Sequence, residues 1–487
     1  MRRSIVLFSS LFLSAPALAS DPQVSANWQS LTRGDVDAAY HLLLENHPGA
    51  AAETGDKAFV SRLEAAHNAA LSRIPAVTGA EGEIATLAEF AHAMNDGHVW
   101  SNAVLLPRTI QWAGIFAAKR GADWVVAKDD VKITGSELAG ARIVNCGGKP
   151  VDAFARDVLH FHTVVSVEAM EIMKGGWLLV DDGNPFLSRP QSCVLELNGK
   201  QRDVPLNWQK ISREKFIGTV FKAPYGRAGF GVHAIGSGYW ISLENLETEA
   251  QPVVDSAKAQ GDAIRKSAFV VVDLRGNGGG DDAYGRALAE TIYGEAYVRS
   301  ILGPRGNEAG GCFPVFRASP GNIESVGADA VRFERTGEVE GAKEYKAAVT
   351  AMKAAAAQGH QLTGAAVCAD AYTPAQAGTA LSLMKGKVFV LTDVACFSSC
   401  INTVDFFRKL GAVQIGQITG ADTHYSEVRE ITLPSGLATF STLQAIQTDA
   451  APAIGPFAPE YAFTGDMADT AALQNWVTAT VLPQARR

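Results

Sequence analysis

After its first twenty residues this chain has no stretch of about 18 uninterrupted apolar residues, the length a helix needs to cross a bilayer. Positive charge is also short. The 43 Lys and Arg stand against 51 Asp and Glu, the formal net charge is −8, and no long basic run occurs. Nucleic acid is a poor partner for such a surface, because phosphate binding needs clustered cations. No G-x-S-x-G elbow is present, which disfavours an α/β-hydrolase. No H-E-x-x-H is present either, and His160-Phe161-His162 is too thin a pattern to hold a metal. The glycine-rich stretches lack the Lys-Ser/Thr of a P-loop and the G-x-G-x-x-G register of a dinucleotide site, so no cofactor is expected. Paired Cys-x-x-Cys is missing, which argues against a structural metal. No internal repeat is visible.

What is present is a globular composition: 47% hydrophobic and 19% charged over 487 residues. That length holds about two to four domains. The chain opens with Arg2-Arg3, a short apolar run from Ile5 to Leu13, and the small-x-small site Ala17-Leu18-Ala19. This pattern predicts an export signal over residues 1–19, cleaved after Ala19. No Cys follows the site, so neither a lipid nor a stable membrane anchor is expected, and the mature chain is expected in the periplasm or outside the cell. Six cysteines remain: Cys146, Cys193, Cys312, Cys368, Cys396 and Cys400. An even number in an exported chain favours disulfides, with connectivity open. Cys396 and Cys400 either pair and stiffen the turn between them or stay as buried thiols.

The hydrophobic pattern divides the remainder into three parts. Residues 20–103 are expected to be helical. Val36, Ala39, Leu42 and Leu43 repeat at helical spacing up to Pro48-Gly49, and Leu63, Ala66, Ala70 and Leu71 follow suit. A third helix through Ile84, Leu87, Phe90 and Met94 ends at Asn95-Asp96-Gly97-His98. Residues 104–212 read as a small β-rich module, with strands at 111–116, 123–127, 141–146 and 192–197. Its Gly135–Val151 segment resembles part of a PDZ domain, without the usual Asp. Residues 213–487 alternate strands and helices, which predicts an α/β core. Strands are expected at 239–243, 268–274 and 386–391, and helices at 250–265, 282–293 and 399–410. An insertion over about 305–380 carries an Ala- and Lys-rich run, Ala342–Ala357, that reads as a solvated helix.

Three segments can carry chemistry. Phe269 to Gly280 reads F-V-V-V-D-L-R-G-N-G-G-G, an apolar strand ending in three consecutive glycines. Such a turn lets backbone N–H groups approach a developing oxyanion, or it is only a sharp structural turn. Lys387 to Cys400 reads as strand, turn and helix start, with Ser398 and Ser399 where backbone N–H groups are free. Either serine can be a nucleophile or a plain helix cap. Asp96-Gly97-His98 places a histidine, the usual general base near neutral pH, at a helix end.

Taken in order, these pieces resemble the serine peptidase family that contains the C-terminal processing (tail-specific) peptidases, the tricorn core and the retinoid-binding repeats. The likeness rests on Asn46-His47-Pro48, Asp96-Gly97-His98, Tyr239-Trp240-Ile241, D-L-R-G-N-G-G-G, Cys396-Phe397-Ser398, Gly416 to Gly420, Leu433-Pro434-Ser435-Gly436 and Pro459-Glu460. It implies a multi-domain α/β protein with a ClpP/crotonase-like catalytic core. It also implies Ser398 as nucleophile, with an oxyanion hole from Gly278 or Gly279 and Ser399. The family's Glu, three residues after the nucleophile, is Ile401 here, and no Lys stands near Thr419-Gly420-Ala421-Asp422 where the processing peptidases place their base. The tricorn-like branch, with a His base, therefore fits better and points to His98, with His424 as the rival. Asp449 and Glu460 are the candidate helper carboxylates. The expected function is exported serine-type endopeptidase activity on peptides or unfolded protein ends. The alternatives are a catalytically silent binder of a peptide or apolar ligand, or a hydrolase for another acyl substrate.

Overall fold

The computed structural model describes residues 27–104, 107–221, 226–303, 314–364, 380–447 and 453–485. The expected export signal, Cys312, Cys368 and Asp449 lie outside them. The architecture is mixed α/β, with a helical N-terminal region, an antiparallel β-rich region and a mostly parallel sheet layered with helices.

Three helices open the described chain, Trp28–Asn46, Lys57–Arg73 and Ala80–Ala93. Asn27 and Asp56 cap the first two with side-chain oxygens that accept a backbone N–H. Their apolar faces do not close on one another alone. Val36, Leu43, Phe59, Leu63 and Phe90 share a core with Phe440 and Leu443, which belong to a hairpin from the far end of the chain, Tyr425–Thr432 with Ala438–Ile446. Just after the third helix, Ser101–Ala103 adds to that hairpin as an antiparallel strand, Ser101 opposite Phe440. The N-terminal region is thus zipped onto the C-terminal half by both apolar burial and a sheet ladder.

The β-rich region is an antiparallel sheet of Ile115–Arg120, Asp123–Asp129, Arg142–Cys146, Ser192–Leu197 and Lys200–Pro205, in that spatial order. One expected strand, 111–116, is instead two, Thr109–Trp112 and Ile115–Arg120. The break falls at Gly114, whose φ of +78° ends the extended run. Cys146 and Cys193 are register partners in this sheet and form a disulfide.

Farther along, six strands run in the order Phe230–Ile235, Gly238–Leu243, Phe269–Asp273, Lys387–Thr392, Val413–Gly416 and Tyr461–Ala462. The first pair is antiparallel and the rest are parallel. Every residue of Phe269–Asp273 is buried, as a strand covered on both faces requires. Its side chains alternate: Val270 and Val272 pack with Val253, Leu288, Val404 and Phe407 on one face. Phe269 and Val271 pack with Phe389, Leu473 and Val477 on the other. Truncating the fully buried Phe389 to Ala would cost about 3–5 kcal/mol. The helix expected over 250–265 divides into Gln251–Ala259 and Gly261–Lys266.

Within the insertion, helices Pro320–Thr336 and Val339–Ala357 lie side by side beyond the short strand Val315–Phe316. The Ala-rich helix is not simply solvated. Met352 and Ala355 are buried with Val326, Ala330, Phe316 and Ala445, which ties the insertion to the same hairpin that holds the N-terminal helices.

Candidate active site

The carboxyl ends of adjacent parallel strands are where α/β sheets present their loops to ligands. Here Phe269–Asp273 and Lys387–Thr392 end side by side, and their two following turns are tied together. Asp393 accepts the Gly276 N–H at Oδ2 (3.0 Å) and the Ala395 N–H at Oδ1 (3.0 Å). Burial, only partly offset by those N–H donors, pushes its carboxyl up to about 7. Phe397 N–H donates to Asn277 O, 3.3 Å.

The polar members of the D-L-R-G-N-G-G-G stretch each hold this turn in place. Arg275 forks onto Asp273 through Nε and Nη2, at 2.9 and 2.7 Å, with both side chains fully buried. Trp240 Nε1 donates to the same carboxylate, and Arg275 Nη1 donates to Met467 O. A buried charge pair needs such saturation to offset its desolvation. Asn277 donates to Leu243 O and accepts the Gly279 N–H at 2.9 Å. Gly279, at φ +111°, faces the next turn so closely that a Cβ would sit 3.0 Å from Ser398 Cβ and 3.1 Å from Ser399 N. A side chain at Gly279 would therefore crowd the serine turn and strain the backbone.

Ser398 sits at the tip of the second turn with φ 54° and ψ −130°. A non-glycine residue there is strained, and such strain gathers at functional sites. Its side chain makes no cap hydrogen bond to the helix Ser399–Lys409 that it precedes. Ser399 is different: its Oγ donates to Gly280 O at 2.6 Å. The Cys396–Cys400 bridge spans the turn, so the pairing alternative holds over buried thiols. Of the expected oxyanion donors, the Gly279 N–H is engaged by Asn277, whereas the N–H groups of Gly278 and Ser399 have no acceptor among the described residues.

His98 arrives from the N-terminal region. Asp96 Oδ1 accepts the His98 backbone N–H at 2.8 Å, and His98 O accepts from Ser441 Oγ at 2.8 Å, on the hairpin. Between them, Gly97 lies against Phe397, where a Cβ would fall 2.6 Å from the ring. The His98 ring packs on Phe397, centroids 4.7 Å apart. Its Nδ1 lies 3.1 Å from Asp422 Oδ1 and 3.6 Å from Asp96 Oδ1. Nδ1 is buried between the two carboxylates without a well-formed hydrogen bond. Burial alone would lower the His98 pKa; the two carboxylates outweigh it and lift the pKa to about 10. Asp96 is fixed in turn by Thr423 Oγ1, 2.7 Å from its Oδ2.

Ser398, His98, Ser399, Gly280 and Asp422 all line one cleft of about 1540 Å³. His424 lines it too, but burial lowers its pKa, and no carboxylate lies within ion-pair distance of its ring among the described residues. Asp96, His98 and Asp422 could together offer three ligand atoms to a metal, within 4.8 Å of one another.

The carboxylates beside His98 are not those expected from sequence. Glu460 is exposed and meets the sheet through its backbone N–H, which donates to Gln414 O. Asp422 and Asp96 take that place. Asp422 lies two residues beyond Gly420 and two before His424, in the stretch where the resemblance would place a Lys base. Asp96 stood inside the histidine motif itself.

Residues 241–454 match the model of Peptidase family S41. No curated protein matches the chain in sequence. In three dimensions the chain is similar to mature CPAF, at 13% identity, with a TM-score of 0.57 over 94% of this chain and 98% of that one. It is also similar to a point mutant of CPAF, at 12% identity, with a TM-score of 0.61 over 94% and 96%. A third similar structure is CPAF complexed with lactacystin, at 13% identity, with a TM-score of 0.58 over 94% and 97%. At these identities the likeness is one of fold. The segment 241–454, which carries both turns of the cleft, is thus the part of this chain that is similar to Peptidase family S41.

Proposed function

We propose that this chain is an exported serine peptidase in which Ser398 is the nucleophile and His98 its base, with Asp422 and Asp96 holding the imidazole. Ser398 Oγ attacks the scissile carbonyl carbon and passes its proton to His98 Nε2, the ring nitrogen opposite the carboxylates. The carbonyl oxygen becomes an oxyanion and accepts from the N–H groups of Gly278 and Ser399. The imidazolium then protonates the leaving amine, the C–N bond breaks, and an acyl-Ser398 ester remains. Water, deprotonated by His98, attacks that ester and frees the acid and the serine.

The observation that carries this reading is the meeting, in one cleft, of a strained serine that caps nothing and a histidine backed by two carboxylates. The same carboxylates make the imidazolium the resting form at neutral pH, so turnover should increase on the alkaline side. The substrates are peptides or unfolded protein ends, cut internally, and the mature chain begins at Ser20 in the periplasm or outside the cell. The parts are the signal 1–19, a helical domain 20–103, a PDZ-like module 104–212, and the catalytic core 213–487.

A serine-directed phosphonate tests the proposal. It should label the mature protein at Ser398, located by peptide mass spectrometry, and should leave Ser398→Ala unlabelled. No labelling, as expected of a silent binder, or labelling at another serine, refutes it.

A further inference from the structure

The two N–H groups proposed for the oxyanion come from different turns, Gly278 from the turn after Phe269–Asp273 and Ser399 from the turn after Lys387–Thr392. Their separation is set by the ties between those turns. Asp393, the first residue past its strand, holds one turn with each oxygen of its carboxylate. Oδ2 takes the Gly276 N–H, two residues before Gly278, and Oδ1 takes the Ala395 N–H, four residues before Ser399. Asp393 is 5% exposed and has no Lys or Arg within ion-pair distance among the described residues, since the nearby Arg275 is paired with Asp273. A buried charge without a counter-ion is costly. A neutral Asn would avoid that cost, but it has a single acceptor oxygen, and its NH2 would face one of the two N–H donors. Only a carboxylate satisfies both.

We infer that Asp393 is a positioning residue for the oxyanion hole, and that its ionised form holds the Gly278 and Ser399 N–H groups at the separation one oxyanion needs; the inference rests on the peptidase reading above. Asp393 is not among the residues that line the cleft, so it acts through the two turns and not by touching substrate. Proton uptake turns one of its oxygens into a donor facing an N–H, and the tie to that turn is lost. The charged groups acting on the carboxyl are Asp273, which raises its pKa, and Arg275, which lowers it, and these two are paired with each other. Burial is the larger influence and raises the carboxyl to about 7, so the loss falls within the working pH range. Two protonations therefore silence the enzyme from the acid side. The first is that of His98, lifted to about 10, and the second is that of Asp393.

The test uses mature protein and a quenched fluorescent peptide, with phosphonate labelling of the wild type in parallel. Asp393→Asn keeps the volume and one acceptor. Per folded molecule, judged by near-ultraviolet circular dichroism, its kcat at about pH 9 should fall about 100-fold while KM stays within about threefold, because the loss is felt only as the oxyanion forms. In wild type, log kcat/KM should fall by about one per pH unit from about pH 9 to about 7, and by about two per unit below that. In Asp393→Asn the slope should stay at about one throughout. An Asp393 that only stabilises the fold would lower the melting temperature of the variant and leave kcat of the folded enzyme unchanged; that result, or a rise in KM at unchanged kcat, overturns the inference. If Asp393→Asn does not fold, the wild-type profile decides: steepening below about pH 7 supports the inference, and a single slope down to about pH 5 overturns it. Either negative result in an enzyme labelled at Ser398 leaves the peptidase reading standing. Absence of both labelling and cleavage overturns that reading and this inference with it.

Discussion

Replacing Asp422 by Asn removes one charge from beside His98 and almost no volume. At an effective dielectric of 20, unit charges 3.1 Å apart attract by about 5 kcal/mol. Burying both groups takes back part of that, and Asp96, at 3.6 Å, remains in the variant. The net expectation is a fall of about two units in the His98 pKa from its raised value. Two consequences oppose each other. A lower pKa leaves more neutral imidazole at pH 7, by about 100-fold for two units. Loss of the carboxylate removes the group that orients the ring and stabilises the imidazolium formed during attack, which in a serine triad costs about 10⁴ in kcat.

The pH profile separates these effects. In wild type, log kcat/KM for a quenched peptide should climb with pH toward a plateau set by a pKa well above that of an ordinary histidine. In Asp422→Asn the plateau should be about 10³ to 10⁴ lower, and the climb should end about two units earlier. The deficit therefore narrows toward neutral pH. A variant whose plateau lies within tenfold of wild type, or whose limb stays where it was, would refute the reasoning, and the carboxylates would then be structural neighbours only.

The remaining predictions concern the turn and the core beneath it. Ser398→Ala should abolish turnover with an unchanged melting temperature. Ser399→Ala loses one hydrogen bond to Gly280, a net cost of about 1 kcal/mol, and should stay active; the opposite ranking in a peptidase assay would exchange their roles. Non-reducing peptide mapping should recover Cys396 linked to Cys400 and Cys146 linked to Cys193, and free thiols at any of the four would contradict the pairing. Buried beside Asp35 and bonded to Ser435, the Glu83 carboxyl is pushed up to about 8, first by burial and then by that neighbour. Because the folded pKa is the higher one, the protonated form favours folding, and stability drains away as pH rises from about 4.5 toward 8. Glu83→Gln should flatten that decline in a melting series, and a wild type that grows more stable over the same range would show the sign to be wrong.

Much of this site was legible because its local chemistry is strict. Three glycines after a buried strand have few uses, and a side chain on Gly279 would crowd Ser398 and Ser399 where they approach it. Elements with strong periodicity, such as Trp28–Asn46 and Phe269–Asp273, lie close to where spacing puts them. Breaks inside elements were harder to read. The interruptions at Gly114 and Gln260 come from single residues whose neighbours keep the hydrophobic pattern running. The carboxylates beside His98 are hard to read for another reason. Nothing local marks Asp422 as a partner of His98; the pairing exists only after the chain has folded.

The hairpin resolves how it exists. Asp422 stands three residues before the Tyr425–Thr432 strand, and its sister strand Ala438–Ile446 takes Ser101–Ala103 into register, three residues after His98. Trp100 N–H donates to Ser441 Oγ at 2.7 Å, and that hydroxyl donates on to His98 O. A single two-stranded element therefore sets both ends of the His98–Asp422 contact, while the core of Phe90, Phe440 and Leu443 clamps the helices that precede it. The insertion docks on the same strand at Ala445 and sends Tyr345 to Glu427. His98, Asp422 and the insertion are thus all held from one hairpin, whereas Ser398 follows a strand of the parallel sheet. Catalytic competence on this reading depends on how the hairpin sits against that sheet. The Phe397 ring, packed between Gly97 and His98 from the serine's own turn, is the contact through which the two halves gauge each other.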